Sequence, residues 1–71
     1  MKDFIELTTH PQDPLNRVSY VRHWDILAFR PAAGDDGALY TVIAVRDVPH
    51  PVNVKETTGE VMDLIDKAIG L

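Results

Sequence analysis

The alternation of apolar and polar residues predicts five short β-strands, all of them before residue 57. The clearest run is 39–46, where leucine, tyrosine, valine and isoleucine dominate, as is typical of pleated and at least half-buried strands. Weaker runs predict the other strands at about 3–8, 17–21, 26–30 and 52–56. The connections are of hairpin length, and Asp36-Gly37 is a strong signal for a tight turn. We therefore expect a mostly antiparallel sheet.

A helical period replaces the alternation after Thr57 and predicts one amphipathic helix at about 58–69. Apolar residues recur there at helical spacing, which places them on one face: Val61, Leu64, Ile65, Ala68 and Ile69. Thr57 and Glu60 have the spacing of a capping box, in which each side chain accepts a hydrogen bond from the other residue's backbone N–H. Glu56 and Glu60 resemble an acid pair, but the helix dipole and capping account for both. Gly70 is a natural helix stop.

Strands followed by a single helix predict an α+β fold. The expected architecture is a mostly antiparallel sheet of four to five short strands, partly curled, followed by one C-terminal amphipathic helix. A chain of 71 residues provides enough apolar surface for one core only. We therefore expect residues 1–71 to form a single small domain.

One helix of this length cannot cover the predicted sheet. It would be roughly 18 Å long and about 10 Å across, whereas five strands span roughly 24 Å. The segments Ile26–Phe29 and Val42–Val45 are apolar at both alternation phases, which indicates that both sheet faces need burial. Because small domains often gain stability from a partner subunit, we expect a homo-oligomer, with another protein as a further candidate partner.

Charge and composition argue against several classes of protein. The net charge is −4 and the seven Lys and Arg residues are scattered singly, whereas a nucleic-acid-binding domain carries a basic stripe. No cysteine is present, which rules out disulfides and thiolate metal sites. No apolar run approaches the roughly 20 residues that span a bilayer. We expect a soluble cytoplasmic protein without membrane insertion.

The tripeptide His23-Trp24-Asp25 is the most distinctive short motif, since a histidine near an aspartate can act as a general base. The one serine, Ser19, lies within a predicted strand and has no flanking nucleophile motif. We therefore expect no catalytic residue, no cofactor and no enzymatic activity.

The three histidines are His10, His23 and His50. Each falls in a different predicted loop or kink, without the i, i+4 or short-loop spacing that metal ligands show. We therefore expect no metal site. The alternative is a small-molecule or metal-binding domain in which folding brings His23, Asp25 and His50 together.

Four aromatic residues are candidates for a protein interface, because aromatic side chains are enriched at binding hot spots: Tyr20, Trp24, Phe29 and Tyr40. An apolar patch around Trp24 and Phe29 is one surface that could recruit a partner. A free sheet edge is the other.

Several stretches of the chain resemble the small flagellar protein family FlbD, also called SwrD. They are Phe4–Thr8, Ile26–Ala32, Thr41–Ile43 and Val54–Thr57, the last followed by Glu60, Val61 and Ile65. The family pattern is roughly an Ile-x-Leu-Thr start, a buried middle strand and a Val-x-Glu-Ser/Thr-x-x-Glu-Val helix start. Related short proteins of bacteria and phage have no assigned function. The resemblance implies a non-enzymatic, small oligomeric protein-interaction or assembly module, and its alternative is a flagellar motor-associated protein.

Overall fold

The computed structural model describes residues 3–10 and 18–70. These residues form five strands, one 3-10 turn and one α-helix. In chain order they are β1 (Phe4–Thr8), β2 (Val18–Arg22), the 3-10 turn (His23–Asp25), β3 (Ile26–Ala33), β4 (Leu39–Val45), β5 (Val52–Val54) and α1 (Thr58–Ile69).

The predicted α+β fold with antiparallel strands and a C-terminal helix is confirmed. The strands divide into two sheets, a hairpin of β1 and β2 and a three-stranded sheet in the order β3-β4-β5. A short bridge between Thr9 and Val54 joins the two sheets. On either side of it, the N–H of His10 donates to the carbonyl of Asn53 and the N–H of Lys55 donates to that of Thr8, both at 2.9 Å.

The strands differ from the predicted ranges mainly at their ends. β3 continues through Pro31 to Ala33 instead of stopping at residue 30. Proline is tolerated there because β3 pairs with β4 alone and is an edge strand. β5 is shorter than predicted because Lys55 and Glu56 already form the bend that leads into α1. Residue 17, where the second strand was predicted to begin, lies outside the described residues.

The core lies between the sheets and α1, which packs against β1 and β3. Within the described ranges, six hydrophobic residues are buried in it: Ile5, Leu7, Ile43, Val54, Val61 and Ala68. Ile5 and Leu7 share the inward face of β1, as the alternation predicts. Half-buried residues complete the packing around this cluster: Val21, Ile26, Phe29, Val45, Val52, Leu64 and Ile65.

Both ends of α1 are closed by hydrogen bonds. The N–H of Thr57 donates to Glu60 Oε1 at 3.0 Å, and the N–H of Glu60 donates to Thr57 Oγ1 at 3.2 Å. Two hydrogen bonds hold the pKa of Glu60 below its ordinary value. The one with the backbone of Thr57 has the larger effect, and the one with the side chain of Thr57 has the next largest. At the other end Gly70 adopts a left-handed conformation, with φ of 86°, which glycine accepts without steric strain.

Glu56 has a different role from the predicted one. Its carboxylate does not serve the helix but accepts the N–H of Thr8 in β1, at 2.9 Å through Oε1 and 3.2 Å through Oε2. Its backbone carbonyl accepts the hydroxyl of Thr41, a buried residue of β4, at 2.7 Å. Glu56 thus links the two sheets at the point where the helix begins.

Candidate interaction surfaces

The described part of the chain leaves many large hydrophobic side chains in solvent. Six hydrophobic residues are buried, whereas eight large ones are exposed. The exposed ones are Phe4, Val18, Tyr20, Trp24, Leu27, Leu39, Val48 and Met62. Single exposed apolar residues are normal, but neighbouring ones mark sites of association.

One group of exposed residues lies around the 3-10 turn. Asp25 fixes this turn because its carboxylate pairs with Arg22 Nε at 3.3 Å and with Arg46 Nε at 3.5 Å. Trp24 is 48% exposed. Its indole is oriented by the ring of His23, edge-on at 5.0 Å between centroids, and by the guanidinium of Arg22, 5.9 Å from the ring centroid. Trp24 is therefore held in place without being buried.

Two further apolar side chains lie at the same end of the molecule. Leu27 is 58% exposed and sits where the β3–β4 register shifts. Val48, also exposed, lies in the turn after β4. The N–H of Arg46 donates to the carbonyl of Asp25 at 2.8 Å, which brings that turn beside the 3-10 turn. We call Trp24, Leu27 and Val48 the Trp24 patch.

The four predicted interface aromatics fall into two groups. Tyr20 and Trp24 are exposed, and Tyr20, at 65%, is the more exposed of the two. Phe29 lies opposite Ile43 and is half-buried against the core. Tyr40 is also half-buried, with its ring 4.5 Å from that of His10.

Sequence reasoning missed Leu27 and Phe4 as surface residues. For Phe4 a signal was available, because its neighbour Ile5 occupies the inward phase of β1 and Phe4 must then point outward. Leu27 gave none. It lies in a run that is apolar at both phases of the strand alternation. The register shift between Ile26 and Ala28 determines to which side of the sheet its side chain points.

A second surface is a groove between the β1–β2 hairpin and α1. We call it the sheet–helix groove; its open volume is about 580 Å³. Its apolar part is formed by Phe4, Ile5, Tyr20, Leu64 and Ala68, and Asp3, Glu6 and Lys67 complete the lining. It continues into a polar depression of about 310 Å³ lined by Glu6, Glu56, Glu60, Asp63, Leu64 and Lys67.

The outer face of the three-stranded sheet is a third surface, with a smaller depression. A depression of about 240 Å³ lies there, lined by Ala28, Phe29, Arg30, Val42, Ala44 and Pro51. Two of its lining residues, Ala28 and Ala44, are small and exposed. This is the uncovered face that the two-phase apolar pattern predicts.

The residues of the alternative metal site do not converge. His50 is exposed in the connection between β4 and β5, and the carboxylate of Asp25 is engaged by two arginines. Nε2 of His23 is buried without a hydrogen-bond partner in the described structure. Within residues 3–10 and 18–70, no three of the histidines and acids are grouped closely enough to hold a metal ion.

The longest helix of the described residues is α1, and neither it nor any other is long and apolar enough to cross a membrane. Comparisons of the chain with protein-family models, with curated proteins and with solved structures found no match. The resemblance to FlbD therefore stays a prediction that depends on the residues quoted for it.

Proposed function

We propose that the protein is a non-enzymatic, FlbD-like interaction module that associates with further copies of itself, and with other proteins, through the Trp24 patch. The observation that carries this proposal is the excess of exposed over buried large hydrophobic side chains, eight against five in the described part. A core of this size leaves a small domain marginally stable, and association removes more apolar surface from water.

The Trp24 patch is a better candidate than the free edge of β3. An exposed edge recruits other strands through its unpaired backbone groups, but prolines and bulges obstruct such pairing. β3 carries both, with Pro31 in the strand and a register shift between Ile26 and Ala28. Trp24, in contrast, is a large aromatic side chain that its neighbours already hold in one orientation, so its burial costs little conformational entropy.

Light scattering coupled to size-exclusion chromatography tests the proposal at micromolar concentration. We expect a multiple of the 7.9 kDa chain mass and a shift towards the monomer in Leu27→Ser. Leu39→Ser is a matched control, because Leu39 is a similarly exposed leucine (62%) at the opposite end of the β3–β4 ladder, about 20 Å away.

Fluorescence provides a second measurement, because Trp24 is the only tryptophan of the chain. Association through the Trp24 patch takes the indole out of water, so its emission should shift to the blue as the protein concentration rises. A mass of 7.9 kDa at all concentrations, with constant emission, would contradict the proposal. An oligomer that Leu39→Ser disrupts and Leu27→Ser leaves intact would contradict the choice of the Trp24 patch.

The resemblance to FlbD supplies a cellular setting, and we propose flagellar motor assembly in the cytoplasm as the second candidate function. In its support, the segments that carry the resemblance coincide with β1 and with the start of α1. Neighbouring flagellar genes and a loss of swimming on deletion are the expected results. Neighbouring phage structural genes, or unchanged swimming, would refute the flagellar role and leave the interaction module itself in place.

A further inference from the structure

We propose that the sheet–helix groove binds a basic amphipathic segment of a partner protein, one that combines apolar side chains with lysine or arginine. This inference rests on the proposed function, because it assigns the interaction module a second surface and the chemistry of the partner that fits it.

The apolar part of the groove exposes hydrophobic side chains to solvent. Phe4 is 52% exposed and Tyr20 is 65% exposed, and they flank the groove on adjacent strands, whose register pairs Phe4 with Arg22 and Tyr20 with Glu6. Leu64 and Ala68 close the other side from α1. The open volume of about 580 Å³ lies within the range of sites that take up several side chains or a small ligand.

The adjoining part of the groove is acidic. Glu56 and Glu60 accept backbone N–H groups of Thr8 and Thr57, which fixes their carboxylates in place. Within the described residues, Glu6 and Asp63 form no ion pair, and the two ion pairs that do form there are both made by Asp25. The carboxylates that line the groove thus lack a matching set of cations.

Charge selects the occupant. Among the described residues that line the two parts of the groove, five carry a carboxylate and one, Lys67, carries an ammonium. Two cations lie nearby: Lys55 acts on Glu60, and Arg22 is already paired with Asp25. A cationic segment is attracted to such a surface, whereas an anionic one is repelled. A second copy of this chain fits poorly, because its net charge is −4 and its seven cations are scattered singly. Nucleic acid is repelled by the same field.

Fluorescence anisotropy with three labelled peptides tests the inference. The probe contains four repeats of Lys-Leu-Ala, and its controls contain four repeats of Glu-Leu-Ala and of Lys-Ser-Ala. We expect the Lys-Leu-Ala peptide to bind at least about tenfold more tightly than either control, because it alone supplies both apolar and cationic groups. Its affinity should fall as salt is added, since exposed charges are screened.

Variants locate the site. Combining Glu6→Gln with Asp63→Asn should weaken binding about fivefold at low salt, and Tyr20→Ala should weaken it about tenfold. Asp35→Asn removes one charge from the distant turn between β3 and β4 and should leave binding unchanged. Circular dichroism checks that each variant is folded, which we expect for Tyr20→Ala because Tyr20 is 65% exposed and its truncation leaves no cavity in the core.

Failure of this inference differs from failure of the proposed function. The groove assignment is overturned if the Lys-Leu-Ala peptide does not bind, if the Glu-Leu-Ala peptide binds equally well, or if the groove variants bind like the unmodified protein. Oligomers that Leu27→Ser dissociates would persist in each of those cases. Conversely, a monomer that binds the probe in the groove refutes self-association alone.

Discussion

Glu56→Ala is the sharpest test of how the two sheets are joined. The substitution leaves the N–H of Thr8 without its carboxylate acceptor, while the bond from Thr41 to the carbonyl of residue 56 is retained because that carbonyl belongs to the backbone. A donor that loses a charged acceptor costs about 1–3 kcal/mol. Thr8 is only half-buried, so water replaces part of the bond, and we expect a loss of about 1–1.5 kcal/mol in the free energy of unfolding.

That loss is large for a chain of this size. A domain of 71 residues has a total stability of about 4–11 kcal/mol, and with a urea dependence of about 1 kcal/mol per molar the unfolding midpoint should fall by about 1–1.5 M. Urea unfolding at fixed protein concentration, followed by circular dichroism, measures the shift. Glu56→Gln keeps one acceptor oxygen and should cost less than half as much.

Glu6→Ala is the matched control, because Glu6 is exposed and its recorded side-chain hydrogen bond is a long one, 3.5 Å from the hydroxyl of Tyr20. It should change stability by less than about 0.5 kcal/mol. The explanation is refuted if Glu56→Ala is as stable as Glu6→Ala, or if Glu56→Gln is as damaging as Glu56→Ala.

Further substitutions test the core and the start of the helix. Leu7→Ala empties a fully buried site and should cost about 2–5 kcal/mol, visible as a lower midpoint of thermal unfolding. Thr57→Ala removes the cap acceptor of the Glu60 N–H and should cost about 1 kcal/mol, measured by urea unfolding. Because the folded pKa of Glu60 is lowered from 4.5, its contribution to stability is present above that pH and is lost as the pH falls through the folded pKa. Stability measured from pH 6 to pH 3 should therefore fall less in Glu60→Gln than in the unmodified protein.

Local patterns were sufficient to predict the elements and the fold class. The 3.6-residue period located α1, and the alternation in 39–46 located β4, because both patterns reflect burial by neighbours a few residues away. The contact between Glu56 and Thr8 joins residues 48 positions apart, and no local pattern encodes it. Likewise, Ile26–Phe29 is apolar at both phases, so the exposure of Leu27 depends on a register shift that only the paired strand β4 reveals.

The small core and the exposed apolar surface have one cause, and together they predict coupled behaviour. A helix of 12 residues covers too little of the two sheets to bury the side chains of Trp24, Leu27 and Val48. If association through the Trp24 patch buries them, only the folded chain gains that contact, so stability must rise with protein concentration. Thermal unfolding of the unmodified protein should shift upward with concentration, and in Leu27→Ser this dependence should weaken. Leu7→Ala, in contrast, should lower stability at every concentration, because the contact that it removes lies within one chain.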